Sequence, residues 1–435
     1  MGATGLNALG QMVALGNLTL QLVDAFTAQT TLAAGQTLSI SSNGAITNQS
    51  VMQGQAVNLA AGGQLTNNGQ ITTGSGSSTL SGSQVVLNAG SSIQGGGDLT
   101  LASRGNITAN GFAGSLGNLT LSAPGSLINT ALLYAANNMS LYANSITNQR
   151  GNILAGNNLL MQRDAAGNAN SNITNTSGTI ETQRGDISIK TGRLLNTREG
   201  LSVQQNVIQN SAITPASLIT VKAEDLPEYG VLIKSWSIRT GGSNGPNGNG
   251  STEDYTRYIY VPGADYTTRD IIASQTQITV SSTGGAGNIR SGRNIIGNIN
   301  ALDNQASNIY ANGNITLSGS SLNNASYQAG LSTNSYHYEF LMDPSVVYNA
   351  SAIKAPPSII GKDDDRSLVI YMGGTHTKDY DPYMYFSYVG SDKDYDYYQN
   401  DFSTTKDKLI KYQRVGQNSV LENGEIYRSV IQAGG

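Results

Sequence analysis

At 435 residues the chain is long enough for two or three ordinary domains, or for one long repetitive one. Charged residues make up only 12%, net charge is −4, glycine reaches 52 and cysteine is absent. So much Gly and Asn works against helices, so little net charge works against disorder, and no 18-residue apolar run is present to cross a membrane as a helix.

The opening residues, MGATGLNALG, lack the basic start and apolar core of a secretory signal. A unit of about 20 residues then recurs to residue 208. Its first apolar position falls at Leu18, Leu38, Val57, Val85, Leu99, Leu119, Met139, Leu159 and Ile187, and again at Ile295 and Ile315. The gaps in the first block are 20, 19, 28, 14, 20, 20, 20 and 28. A second apolar spot follows about eight residues later and is closed by Asn, at Asn48, Asn67, Asn129, Asn148, Asn175, Asn196 and Asn304. A third and weaker spot lies around Ile71 and Ile153.

Alternation within Leu119-Thr120-Leu121 is the period of a short strand. No 3.6-residue spacing survives the Gly and Asn interruptions. Three short strands and three turns per unit predict one coil of a parallel β-helix, each coil stacked on the next at ~4.8 Å. Residues 1–208 hold about ten coils, a rod of roughly 50 Å. The Asn slots are expected to supply left-handed corners and to hydrogen-bond from coil to coil as a ladder.

The units built as GNLTL…SITNQRGNILAGNNL, over 1–208 and again over 295–324, resemble the filamentous haemagglutinin repeats of two-partner secreted exoproteins. The contact-dependent growth inhibition (CdiA) branch of that family shares them. The resemblance implies an all-β, right-handed parallel β-helix, export through an outer-membrane two-partner secretion transporter, and display on the bacterial surface. It also implies an internal fragment, since the family's signal peptide, secretion domain and C-terminal effector are missing. Absence of cysteine suits a chain that threads a pore before folding.

Composition changes near residue 209. Only 2 of 22 tyrosines and 6 of 28 acidic residues precede it. Residues 209–294 read as an irregular insertion holding the sole tryptophan, Trp236, and the Gly/Asn-rich GGSNGPNGNGSTEDY. Two coils return at 295–324. Residues 325–435 form a Tyr/Asp-rich segment expected to continue the solenoid, because an open end exposes unpaired strand edges.

The densest stretch, Tyr380 to Phe402, carries seven tyrosines and five aspartates. Tyr383 and Tyr385 share one face of a strand, as do Tyr395 and Tyr397. Tyrosine offers a large, rigid, amphipathic contact, which makes Tyr383, Tyr385, Tyr388, Tyr395, Tyr397 and Tyr398 the candidate contact residues, with Trp236 as a lesser one. The alternative is that these rings pack on the solenoid flank or on one another. In the CdiA branch, the segment after the first repeat block binds a receptor on a neighbouring bacterium. The resemblance therefore implies an outer-membrane β-barrel partner such as BamA, a porin or a Tsx-like channel. A host-cell or glycan adhesin is the other reading, and a plain fibre the third.

Other motifs are weaker. Asp186 of the Arg184-Gly185-Asp186 triplet occupies the slot filled by Asp98 and Asn158 in other coils, so the triplet reads as repeat drift. The run Asp363-Asp364-Asp365 lacks the spacing of a calcium loop. His337 and His376 have no ligand partners at metal spacing, and nothing calls for a cofactor. Some parallel β-helices are polysaccharide lyases, but Glu181 and Asp186 are the only close carboxylates in 1–208, which leaves little for catalysis. The acidic balance, with no basic stripe, argues against nucleic acid.

Overall fold

A triplet such as Leu99-Thr100-Leu101 buries its outer two side chains only if its strand has a core on one face and solvent on the other. The computed structural model supplies that core by winding the chain into a solenoid. It describes residues 11–210, 216–222, 229–240, 251–262, 266–341, 368–371, 383–391, 396–400 and 409–435.

Each coil contributes three strands. In the coil starting at Leu99 they are Leu99–Ser103, Ile107–Ala109 and Phe112–Ser115. Every strand pairs in parallel with its counterparts in adjacent coils. Leu99 opposes Ser78 and Leu119, Ile107 opposes Val85 and Leu127, and Ala113 opposes Ile93 and Leu133. The third strands build a 12-stranded sheet, and the first and second together one of 18. Because the register repeats from coil to coil, inward residues stack in columns. Leu59, Leu80, Leu101, Leu121 and Leu141 form one such column, each no more than 1% exposed. From Leu119 onward the first two strands often merge, as in Leu119–Asn129 and Met139–Gln149.

The irregular spacing of the apolar marker resolves in this register. Val85 belongs to a second strand, between Leu65 and Ile107. The first-strand position of its coil is Ser78, a buried residue whose Oγ accepts a hydrogen bond from the Val57 amide at 3.0 Å. Gaps of 28 and 14 thus become two of 21. The long interval after Leu159 holds a loop at 163–169, where the Asp164 carboxylate accepts from the Asn168 side chain at 2.8 Å.

The Asn slots form a buried ladder. Nδ2 of Asn129, Asn148, Asn175, Asn196 and Asn304 each donates to the Oδ1 one coil on, at 2.8 Å. A shorter run joins Asn48 to Asn67, also at 2.8 Å. Leu87 and Ala109 fill the slot between the two runs. The expected left-handed Asn is not found among the described residues. Positive φ falls two residues later instead, at Arg150 (55°), Ser177 (50°) and Ala306 (48°). The side chain of a ladder Asn is committed to its neighbours in the stack, so the reversal falls on a residue that carries no ladder bond.

After Ile187–Thr197 the chain leaves the solenoid. Its coil is completed by Asn288–Ser291, which pairs with Thr179–Thr182 and with Asn308–Ala311. The coil containing Ser321–Ala325 is likewise completed by Val430–Ala433, paired with Asn308–Ala311. Both departures follow the Asn slot, at Asn196 and at Asn324. The two excursions make a second compact unit, Gln205–Gln277 with Gly330–Asn423, while Met1–Gln204, Ile278–Ala329 and Gly424–Gly435 form the solenoid unit.

Continuation of coils through 325–435 is therefore met only at its end. Gly330–Phe340 and Leu409–Leu421 pair antiparallel in a five-stranded sheet ordered Ser202–Asn210, Thr268–Ser281, Gly330–Phe340, Leu409–Leu421, Leu218–Lys222. Its core is Tyr338, Ile410 and Tyr412, with Phe340 and Tyr336 against them. These rings pack across the sheet rather than in a column of one side chain per coil.

Candidate recognition surface

The second unit's other sheet is antiparallel throughout, ordered Ser251–Pro262, Tyr229–Thr240, Asp396–Asn400, Tyr383–Ser391, Leu368–Tyr371. Residues 229–240 and 251–262 form a long hairpin whose β-branched and aromatic content favours strands. The shorter C-terminal strands extend it through Val231↔Tyr398 and Leu232↔Tyr397.

Six of the seven candidate residues fall on this sheet. Tyr388 is paired with Tyr398, and Tyr397 stands between Leu232 and Gly390. Tyr383 is paired with Tyr371, Tyr385 with Val369, and Trp236 with Tyr255. Tyr395 lies outside the described residues, as do Tyr380, His376 and the Asp363–Asp365 run. Tyr255, Tyr258, Tyr260 and Tyr371 join the same sheet and were not singled out from the sequence. Their signal was the aromatic run YTRYIY at 255–260, within the segment read as irregular.

The first sheet holds its tyrosines in its core. The Tyr338 hydroxyl donates to the Ala216 carbonyl at 2.8 Å, and Tyr412 to the Tyr266 carbonyl at 2.7 Å. Phe340 meets Tyr412 edge-on at 6.4 Å. Burial pushes the Tyr412 phenol above its usual value, opposed by the Arg269 guanidinium 5.8 Å from its ring. Arg414 lies 4.9 Å over Tyr336, and His337 Nδ1 is 2.8 Å from Asp270. These rings hold the fold together.

The other candidate sites are structural. Asp186 binds the Arg293 guanidinium and accepts from the Asn294 amide at 3.0 Å. It continues an outer ladder in which the side-chain oxygens of Asp98, Asn118, Asn138, Asn158, Asp186 and Asn294 each take the next coil's backbone N–H at 2.8 to 3.2 Å. Hydrogen bonding from Arg293 holds its carboxyl at about 2 despite some burial. Glu181 is in register with Arg290. Among the described residues no three His, Cys, Asp or Glu side chains gather as a metal site, and no helix is long and apolar enough to cross a membrane. A groove of about 530 Å³ beside Gln94, Phe112, Gly114, Leu116 and Tyr134 is lined by no carboxylate or imidazole.

The haemagglutinin repeat family matches residues 2–69, 53–111, 115–224 and 266–336. The chain is 46% identical over 327 residues to a tRNA nuclease CdiA of Escherichia coli (strain STEC_O31), covering 74% of this chain and 10% of that protein. It is 41% identical over 393 residues to the tRNA nuclease CdiA of Escherichia coli O6:K15:H31, covering 88% and 12%. A deoxyribonuclease CdiA of Dickeya dadantii is 34% identical over 436 residues, covering 98% and 12%. No solved structure matches. The chain spans about a tenth of the length of these curated relatives, and the nuclease activities in their names are those of the whole proteins. With its repeats in register over both blocks, the chain belongs to the haemagglutinin repeat family, as a stalk segment of a CdiA-like exoprotein secreted to the bacterial surface.

Proposed function

We propose that the second unit is the recognition module of a contact-dependent growth inhibition exoprotein, and that it binds an outer-membrane β-barrel protein of a neighbouring bacterium before toxin delivery. The carrying observation is that two excursions far apart in sequence bring Trp236, Tyr383, Tyr385, Tyr388, Tyr397 and Tyr398 onto one sheet. A solenoid has no need of such an assembly. Aromatic side chains of this kind supply most of the energy at protein interfaces. In this reading the solenoid unit is the stalk, and an outer-membrane two-partner secretion transporter exports the chain.

The test is binding of the purified chain to susceptible bacteria and to single-gene outer-membrane mutants of the same strain. Loss of binding in one barrel mutant, and a fall of tenfold or more for the Tyr388→Ala, Tyr398→Ala double variant, is the expected result. Unchanged binding across all mutants, or binding confined to host cells or glycans, transfers the function to an adhesin.

A further inference from the structure

The second unit has four sheet edges among its described strands, and three are protected. Leu218–Lys222 has five residues and ends in a lysine, and Leu368–Tyr371 has four residues. Ser251–Pro262 is longer but carries Glu253, Asp254, Arg257 and Pro262. Short length, charge and proline are the devices by which proteins prevent edge-to-edge pairing.

Ser202–Asn210 has none of them. Its nine residues, SVQQNVIQN, include no charge, no proline and no glycine. Every residue after Ser202 is exposed, with Val207 and Ile208 each 58% exposed on opposite faces. A neutral strand of this length with a free row of N–H and C=O groups is a template for another strand.

We propose that this strand pairs antiparallel with the same strand of a second copy of the chain, about a two-fold axis at Val207. In that register Val207 faces Val207 of the partner copy, Gln205 faces Gln209, and Gln204 faces Asn210. On one face the two valines meet at the centre with the carboxamide pair Gln205–Gln209 on either side, each both donor and acceptor; on the other face Ile208 lies opposite Asn206, followed by the carboxamide pair Gln204–Asn210. An identical strand brings no like charges to the interface, since it carries none. Two-fold pairing also consumes both edges, so it closes at a dimer rather than growing into a fibre. The inference stands apart from the receptor reading, because it uses neither Trp236 nor the tyrosine sheet.

The experiment is sedimentation of the purified chain over a range of concentrations, with Val207→Lys and Val207→Thr variants. Reversible dimerisation, weakened at least tenfold by Val207→Lys and little changed by Val207→Thr, is expected, since only lysine sets like charges directly opposite. Because the chain has no cysteine, Val207→Cys reports the register directly. It forms a disulfide-linked dimer under mild oxidation, whereas Gln53→Cys on the solenoid does not. Far-UV circular dichroism checks that each variant remains folded. A chain that is monomeric at every concentration, a dimer indifferent to Val207→Lys, or equal cross-linking of the Gln53→Cys and Val207→Cys variants overturns the proposal.

Discussion

Asn148 is the residue on which the ladder is best tested. Its Oδ1 accepts from Asn129 Nδ2 at 2.8 Å, and its Nδ2 donates to Asn175 Oδ1 at 2.8 Å and to the Gly151 carbonyl at 2.9 Å. Asn148→Ala removes three buried hydrogen bonds, each worth about 1 kcal/mol net, and leaves polar partners without full replacement at ~1–3 kcal/mol more. The expected loss is therefore about 4–6 kcal/mol. Asn48 begins the shorter run, above Ala28, and makes one ladder bond. Asn48 also donates to the Gln70 carbonyl and accepts from the Ser50 amide, each at 3.2 Å, so Asn48→Ala is expected to lose about 1 kcal/mol less than Asn148→Ala, the worth of the missing ladder bond. Asn148→Asp supplies the sharper signature. Its ionised carboxylate can accept from Asn129 but cannot donate to Asn175, so the folded state raises its pKa. The penalty is absent below the unfolded value of about 3.9 and grows as pH rises above it. Guanidinium unfolding followed by circular dichroism, each variant referred to wild type at the same pH, measures all three. Equal losses for Asn148→Ala and Asn48→Ala, or a penalty for Asn148→Asp that does not relax in acid, would refute the ladder as a source of stability.

Leu101→Ala, in the middle of an inward column, should cost about 3–5 kcal/mol, while Thr100→Ala beside it should stay within about 0.5 kcal/mol in the same unfolding assay. Asp186 contributes stability that is fully present above about pH 4 and is lost as pH falls through its folded pKa of about 2. Arg293→Met should return that pKa toward 3.8, which an NMR titration of the Asp186 carboxyl would show; an unmoved pKa contradicts the pairing. Tyr338→Phe keeps the ring and deletes the bond to Ala216, so a loss of about 1 kcal/mol is expected, against about 3 kcal/mol or more for Tyr338→Ala.

The solenoid was legible because every coil solves the same burial problem with the same residue types. Period, Asn slots and the return at 295–324 all follow from columns whose register repeats from coil to coil. Asp186 was readable as a ladder position for the same reason, despite its Arg-Gly-Asp setting. Ser78 hid its coil by placing a hydroxyl where neighbours carry Leu or Val. The turn conformation was misjudged because the sequence marks Asn as the special residue, whereas Arg150, Ser177 or Ala306, two residues on, takes the positive φ. Nothing local announces that Asn288–Ser291 completes the coil of Ile187–Thr197, or that Asp396–Asn400 joins the hairpin of Trp236. Pairing between distant segments depends on which edges are free and leaves no periodic trace.

The two excursions leave the stack at the same corner, separated by a coil that turns normally. In that coil Asn304 reaches Asn308 through Gln305, Ala306 and Ser307, and Asn148 reaches Asn152 through Gln149, Arg150 and Gly151. Asn196 bonds to the Gly287 carbonyl as Asn148 does to that of Gly151, at 3.2 and 2.9 Å. The first excursion therefore sits inside an intact turn. Replacing residues 198–286 with one glycine restores the length of the Asn148 turn, with glycine at the left-handed position. Replacing 326–428 with one glycine does the same after Asn324. A chain with both replacements is expected to keep a cooperative β-solenoid transition. A chain with only one should lose the antiparallel unit altogether, because Gly330–Phe340 and Leu409–Leu421 come from one excursion and Thr268–Ser281 and Leu218–Lys222 from the other. The assay is hydrogen exchange at the Tyr338 and Tyr412 amides, which is slow only while the sheet core is intact. Retained protection in the chain lacking 198–286 would show that the second excursion folds alone. Loss of the solenoid transition in the double replacement would show that the excursions help to hold the stack.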